Sequence, residues 1–183
     1  MTTTSYLKAQ LRKQAVLRIE KFATDQGDVG VFATITAPSR YHPVAGKSDG
    51  INQTHVAFGK PTPADAQRYL RNVWGRIRSR LHREGISIRG VRFTEQHQDR
   101  CPQWHMLMFV APENQARYEA VVAASAIIGG SNDDQGKFKL LHMEAGKSTA
   151  AGYIAKYIAK DINGDNVNFH YAPTYIRTGI AAN

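Results

Sequence analysis

Two segments of strand-like composition, Ile86–Glu95 and Gln103–Val110, are separated by only seven residues, QHQDRCP. A connection that short closes an antiparallel hairpin, because a parallel crossover needs a dozen or more residues. The chain is therefore predicted to carry an antiparallel sheet, and the other elements are read around it. Ser5–Thr24 reads as an amphipathic helix with Leu7, Leu11, Ala15, Ile19 and Phe22 near helical spacing. Val31–Ala37 is β-branched and aromatic and stops at Pro38, as a strand does. Residues 39–61 carry several Gly and Pro and read as a long loop, with a short strand at Thr54–Phe58. Thr62-Pro63-Ala64-Asp65 has the form of a capped helix start, and that helix runs to Arg83 with Leu70, Val73, Trp74, Ile77 and Leu81 on one face. Pro112–Ile128 reads as a helix, Lys137–Met143 as a strand and Ser148–Ile162 as a helix. The expected fold class is α+β, an antiparallel sheet with helices packed on it, in one domain over 1–183.

The 24 Lys and Arg outnumber the 15 Asp and Glu, for a net charge of +9. Such an excess attracts polyanions, since each phosphate neutralised releases a condensed counterion, but it also serves plain solubility. Six arginines (68, 71, 76, 78, 80 and 83) decorate the 62–83 helix, against Asp65 alone. They form either a solvated helix face or part of a phosphate-binding surface. A single cysteine rules out an intramolecular disulfide framework or a zinc site of several thiolates. No run approaches 18 apolar residues, and MTTTSYLKAQLRKQ lacks the apolar core of a secretory signal, so a cytoplasmic protein without a membrane span is expected.

Residues two apart in a strand share a face, so Gln103 and His105 point together, as do Val91, Phe93 and Glu95. Closure of the hairpin puts Glu95 near Gln103. A carboxylate, an imidazole and an amide oxygen can hold Mg²⁺ or Mn²⁺. The same three residues also make a half-buried polar cluster satisfied by its own hydrogen bonds. His97 is a further candidate ligand. Trp104, Met106 and Met108 face the other way and read as core.

In AAGYIAKYIAKDI, Ala151, Ile154, Ala155, Ile158 and Ile162 form one apolar helical stripe, and Tyr153, Lys156, Tyr157 and Lys160 fall opposite it. A phenol is a weak nucleophile at neutral pH, with a pKa near 10, and a lysine three residues on favours the phenolate or stabilises charge on an attacked phosphate. The bland alternative is a pair of tyrosines packed at a rim. Gly46-Lys47-Ser48 and Gly146-Lys147-Ser148 lack the upstream glycine of a nucleotide phosphate loop, having Tyr41 and Leu141 there. Cys101 has no convincing base partner.

Four segments together, ATITAPSRYHPV, RFTEQHQDRCPQWHMLMF, KFKLLHME and GKSTAAGYIAKYIAKDING, resemble the HUH endonuclease superfamily, specifically the replication gene A proteins of rolling-circle bacteriophages. The resemblance implies a Rep-type, ferredoxin-like sheet as a catalytic core over 31–164, preceded by an N-terminal helical extension (1–30) and followed by a tail (165–183). It implies Tyr153 and Tyr157 as paired nucleophiles on single-stranded origin DNA, each able to form a 5′-phosphotyrosine bond and release a 3′-hydroxyl. Lys156 and Lys160 assist the reacting phosphate, and Glu95, Gln103 and His105 hold a divalent Mg²⁺ or Mn²⁺. Gln103 stands where the family's His-hydrophobic-His pattern has its first His, which weakens the ligand set. Further expectations are a monomer acting in the bacterial host cytoplasm, with a host replication helicase or polymerase as partner. Larger relatives carry further regions, so the chain is either a small stand-alone initiator or a catalytic domain. A non-catalytic single-strand binding module on the same fold is the alternative.

Overall fold

The computed structural model describes residues 3–46, 50–127, 137–143 and 168–172, together with Gly152 and Ile154. In chain order the elements are α1 (Thr3–Asp25), β1 (Val29–Thr36), β2 (Val44–Ala45), β3 (Gly50–Ile51), α2 (Gln53–Ala57), α3 (Pro63–Arg83), β4 (Arg89–Gln96), β5 (Pro102–Val110), α4 (Gln115–Ile127), β6 (Lys137–His142) and β7 (Asn168–Ala172). One sheet runs β6-β1-β5-β4-β7, every neighbouring pair antiparallel, and β2 and β3 form a separate two-stranded ribbon. The expected α+β class and the β4–β5 hairpin are as predicted. The hairpin loop is five residues rather than seven, closed by the His97 amide donating to the Cys101 carbonyl at 2.9 Å. Arg100 turns it with a left-handed φ of 68°.

β5 is the central strand and is buried from Trp104 to Val110, which is why it reads WHMLMFV with almost no polar alternation. Its even-numbered residues, with Val31, Ala33 and Ile35 of β1, meet the apolar stripe of α3 and Tyr118, Val121 and Val122 of α4. Its odd-numbered residues Leu107 and Phe109 join Phe32, Val91 and Phe93 on the other face, under Val16 and Ala23 of α1 and under Ile154. α3 starts as its sequence predicts: the Thr62 hydroxyl accepts from the Asp65 amide and the Asp65 carboxylate accepts from the Thr62 amide, a complete capping box behind Pro63.

Three expectations need correction. The stripe of α1 is shifted: Leu7, Leu11 and Phe22 are exposed (55%, 70% and 45%), while Val16 and Ala23 are buried and Leu17 and Ile19 pack beside them. The part of α1 that rests on the sheet is its C-terminal half, and the Arg89 guanidinium lies over the Phe22 ring at 4.9 Å. Thr54–Phe58 is helical, not a strand. Buried Asn52 starts α2 by accepting from the Thr54 amide at 3.0 Å. The same side chain donates to the carbonyls of Ser39 and His42, both at 2.8 Å. Finally, Pro112–Asn114 is a 3₁₀ turn, and the α-helix begins only at Gln115. The strand β7, which extends the sheet beyond β4, is not among the elements the sequence predicts.

Asn52 therefore pins the segment after β1 to the ribbon. Asn52→Ala leaves two carbonyls and an amide without their partner, so a loss of about 1–3 kcal/mol is expected, read from urea unfolding. A change below the error of that measurement would show that water replaces the side chain.

Candidate active site on the central strands

Glu95 and Gln103 are directly opposite across β4 and β5, and Phe93 is opposite His105. On the other side of β5, Thr34 is opposite His105 and Thr36 opposite Gln103. One sheet face thus carries Thr34, Thr36, Glu95, Gln103 and His105 at one end, and the apolar cluster under α1 and Ile154 at the other. The His105 imidazole is 4% exposed and held on every side. Its Nε2 is 2.9 Å from the Glu95 carboxylate and its Nδ1 2.9 Å from the Thr34 hydroxyl. The rings of Phe32 and Phe93 stack on it at centroid distances of 5.7 and 5.2 Å. Gln103 Nε2 donates to the same Glu95 oxygen at 3.3 Å. The structure brings together the three residues expected to act as a set.

Chemically, this donor set suits a hard divalent cation, with the carboxylate supplying charge and the imidazole a neutral nitrogen. Among the described residues, no group of three His, Cys, Asp and Glu side chains is placed to hold a metal ion. A site here depends on Gln103 for its third ligand. His97 lies on the hairpin loop and not on the strand face. Its Nε2 is buried and has no hydrogen-bond partner among the described residues. Burial, then the neighbouring His42, push its pKa down, while Asp99 and Glu95 pull it up; the net effect favours the neutral ring. A buried, unpaired imidazole nitrogen within the field of Glu95 also fits a cation.

Sequence reasoning missed His42 and Asp99. Asp99 Oδ2 is 2.8 Å from His42 Nδ1, Asp99 Oδ1 accepts from the Cys101 amide at 2.9 Å, and the His42 and His97 rings meet edge-on at 5.3 Å. The loop after β1 and the β4–β5 loop leave the same end of adjacent strands, and only that adjacency unites them. A groove of about 760 Å³ opens there, lined by Thr36, Ser39, His42, His97, Asp99 and Lys137. Lys137 and Lys139 of β6 are opposite Thr36 and Thr34, and Lys137 adds positive charge to the groove.

Tyr153, Lys156, Tyr157 and Lys160 lie outside the described residues. Gly152 and Ile154, which flank Tyr153, are helical. Ile154 is buried against the face that carries His105, as its place on the apolar stripe requires. Cys101 is inert by construction: it is 1% exposed, and burial first and then Asp99 push its thiol up to about 12. An aromatic disulfide reagent at pH 8 is expected to leave it untouched until denaturant is added; immediate reaction in buffer would mean that the hairpin loop opens.

The protein thus presents a carboxylate, an imidazole and a carboxamide on adjacent strands of an antiparallel sheet, beside an edge strand that carries two lysines. The family model described as bacteriophage replication gene A protein matches residues 8–165, and the chain belongs to that family. It is 40% identical over 151 residues to the replication gene A protein of Escherichia phage 186, covering 79% of this chain and 21% of that protein. It is 37% identical over 158 residues to the replication gene A protein of Escherichia phage P2, covering 80% and 20%. A probable replication endonuclease from a prophage-like region of Escherichia coli O6:H1 is 30% identical over 152 residues, covering 80% and 18%. The chain spans about a fifth of the length of these relatives. No solved structure matches it. No helix among the described residues is long and apolar enough to cross a membrane.

Proposed function

We propose that this chain is a metal-dependent endonuclease that nicks and rejoins single-stranded DNA at a phage replication origin, through a covalent tyrosine intermediate. The observation that carries the reading is the union of Glu95, Gln103 and His105 on the sheet face that also buries Ile154, the sequence neighbour of Tyr153. In this reading the phenol oxygen of Tyr153 or Tyr157 attacks the scissile phosphorus. The new oxygen–phosphorus bond replaces the bond to O3′, and the phenolic proton ends on the released 3′-hydroxyl. No nucleotide cofactor is needed, because the phosphotyrosine keeps the bond energy for rejoining. Lys156 and Lys160 stabilise charge on the reacting phosphate.

Glu95, His105 and Gln103 would hold the cation, with His97 as a further donor. A bound Mg²⁺ or Mn²⁺ supplies Lewis-acid polarisation and alignment of the scissile phosphate. Thr34 keeps the Nδ1 side of His105 engaged, so that Nε2 is the nitrogen aimed at Glu95. Gln103 is a weaker ligand than imidazole, and its oxygen becomes available only when the amide turns its nitrogen away from Glu95. That same hydrogen bond favours a second reading, a binding module whose polar cluster is satisfied without metal.

The deciding experiment mixes the protein with a randomised single-stranded DNA pool and Mn²⁺ and looks for a denaturant-resistant protein–DNA adduct. A metal-dependent adduct is expected, and sequencing the trapped strand gives the recognised site. Salt-sensitive binding with no adduct in Mn²⁺ or Mg²⁺ would select the binding module. A host helicase or polymerase is the partner this reaction calls for, since the released 3′-hydroxyl is a primer.

A further inference from the structure

The arginines of α3 are not equivalent. Arg68 pairs with Asp65 at 2.9 Å, Arg80 with Glu84 at 3.2 Å, and Arg76 donates to the Ser125 carbonyl at 3.3 Å. Glu84 is further engaged by Arg117, and Asp28 by Arg89. Among the described residues, no carboxylate pairs with Arg71 or Arg78. Those two lie on one helical stripe with Trp74 and Gly75, at i, i+3, i+4 and i+7. Arg92 of β4 comes up beside the same stripe. Its guanidinium lies 3.6 Å from the centroid of Trp104 and 5.7 Å from that of half-buried Trp74, and it too has no carboxylate partner among the described residues. Burial, then repulsion from Arg78 and Arg71, lowers the pKa of Arg92 to about 10. Arg71, Arg78 and Arg92 thus repel one another across the helix–sheet boundary with no carboxylate partner among the described residues.

Gly75 makes the patch stranger still. A glycine inside a helix weakens it. Yet a Cβ at Gly75 would meet nothing within 4 Å, so no packing contact of the described residues requires the glycine. What it leaves is a bare strip of helix beside Trp74 and between two arginines. Unopposed guanidinium groups, an aromatic ring with an exposed part and a clear backbone strip are the components of a single-strand platform: cations for phosphates, ring faces for unpaired bases.

We propose that Arg71, Trp74, Gly75 and Arg78, with Arg92, form a second single-stranded DNA surface, on the sheet face opposite Glu95, Gln103 and His105. From Arg71 to Arg78 the helix rises about 10 Å, a span that suits two or so nucleotides of an extended strand. A duplex hides its base faces and would make no use of Trp74. The proposal builds on the endonuclease reading only in taking DNA as the strand, and its test needs no cleavage. It would let one strand be held on the back of the protein while another part of the DNA is processed on the front.

The test titrates the full chain with fluorescein-labelled dT20 in EDTA and measures affinity as a function of salt. Arg71→Gln with Arg78→Gln is expected to weaken binding about tenfold and to reduce the salt slope by about 1.4, the value for two phosphate contacts on a single strand. Trp74→Ala is expected to weaken binding about fivefold or more. Gly75→Gln fills the strip with a good helix former; a several-fold loss of affinity with an unchanged or higher melting temperature is expected. That combination separates a binding role from a structural one. Wild-type affinity in Gly75→Gln and in the double arginine variant would overturn the proposal, as would a preference for a 20-base-pair duplex over dT20. Polyphosphate competing as well as dT20 does, with Trp74→Ala neutral, would reduce the patch to general polyanion attraction and overturn it too. The titration reads binding in EDTA, where no adduct is expected, so a failure to form adducts in Mn²⁺ tests the endonuclease reading separately.

Discussion

Changing both Tyr153 and Tyr157 to Phe is expected to abolish the covalent protein–DNA adduct completely, with single-stranded DNA affinity within about twofold of the wild type. Phe removes the phenolic oxygen and keeps the ring. Ile154, buried against the sheet, is untouched. No other hydroxyl inherits the role easily, because a phosphotyrosine forms only where the oxygen meets phosphorus in line with the leaving O3′. Each single variant is expected to keep one round of adduct formation if the two phenols alternate. The measurement is a denaturing gel with labelled DNA in Mn²⁺. An adduct that survives in the double variant would assign the bond to another side chain and remove the two tyrosines from the reaction.

His105→Ala has the second-largest expected effect, a fall in cleavage rate of about 100-fold or more, since even outer-shell partners of a metal ligand cost roughly 10- to 100-fold. The imidazole joins Glu95 to Thr34 and fills the space between Phe32 and Phe93. Its loss takes one partner from the Glu95 carboxylate and one from the Thr34 hydroxyl and opens a small void, so the fold is also expected to lose a few kcal/mol, on the order of the cost of lost buried hydrogen bonds. The control is direct: single-strand affinity measured in EDTA, with the melting temperature alongside. Cleavage lost while binding persists supports a role at the reacting phosphate. Cleavage and binding lost together at an intact melting temperature would make His105 a DNA contact instead.

Much of the site is legible in the amino-acid sequence, because period-two alternation settles which residues share a strand face. Gln103 and His105 had to point together, and a hairpin joining the strands had to bring Glu95 beside them; the register pairs Glu95 with Gln103 directly. The α3 start is equally legible, since Thr62, Pro63 and Asp65 close a cap through bonds among near neighbours. The α1 stripe is not. Leu7, Leu11 and Phe22 have as good a helical spacing as Val16, Ile19 and Ala23, and only the half of the helix that meets the sheet decides which stripe is used. Thr54–Phe58 misleads for a related reason: its β-branched composition favours a strand, but the Asn52 cap and the return of the chain over Ser39–His42 make it a helical turn.

Local chemistry by itself determined the hairpin, the polar trio on its face and the capped arginine helix, because each depends on residues within a few positions of one another. Tertiary structure alone decided three further things. It put the loops that carry His42 and Asp99 at one end of the sheet, since β1 and β4 both flank β5. It added β7 to the open edge of β4. And it sorted five of the six similar arginines: Arg68 and Arg80 pair with Asp65 and Glu84, Arg76 is tied to α4, and Arg71 and Arg78 face Arg92 across the helix–sheet boundary. A charge on a helix can be read from sequence; whether it is opposed depends on which strand packs beside it.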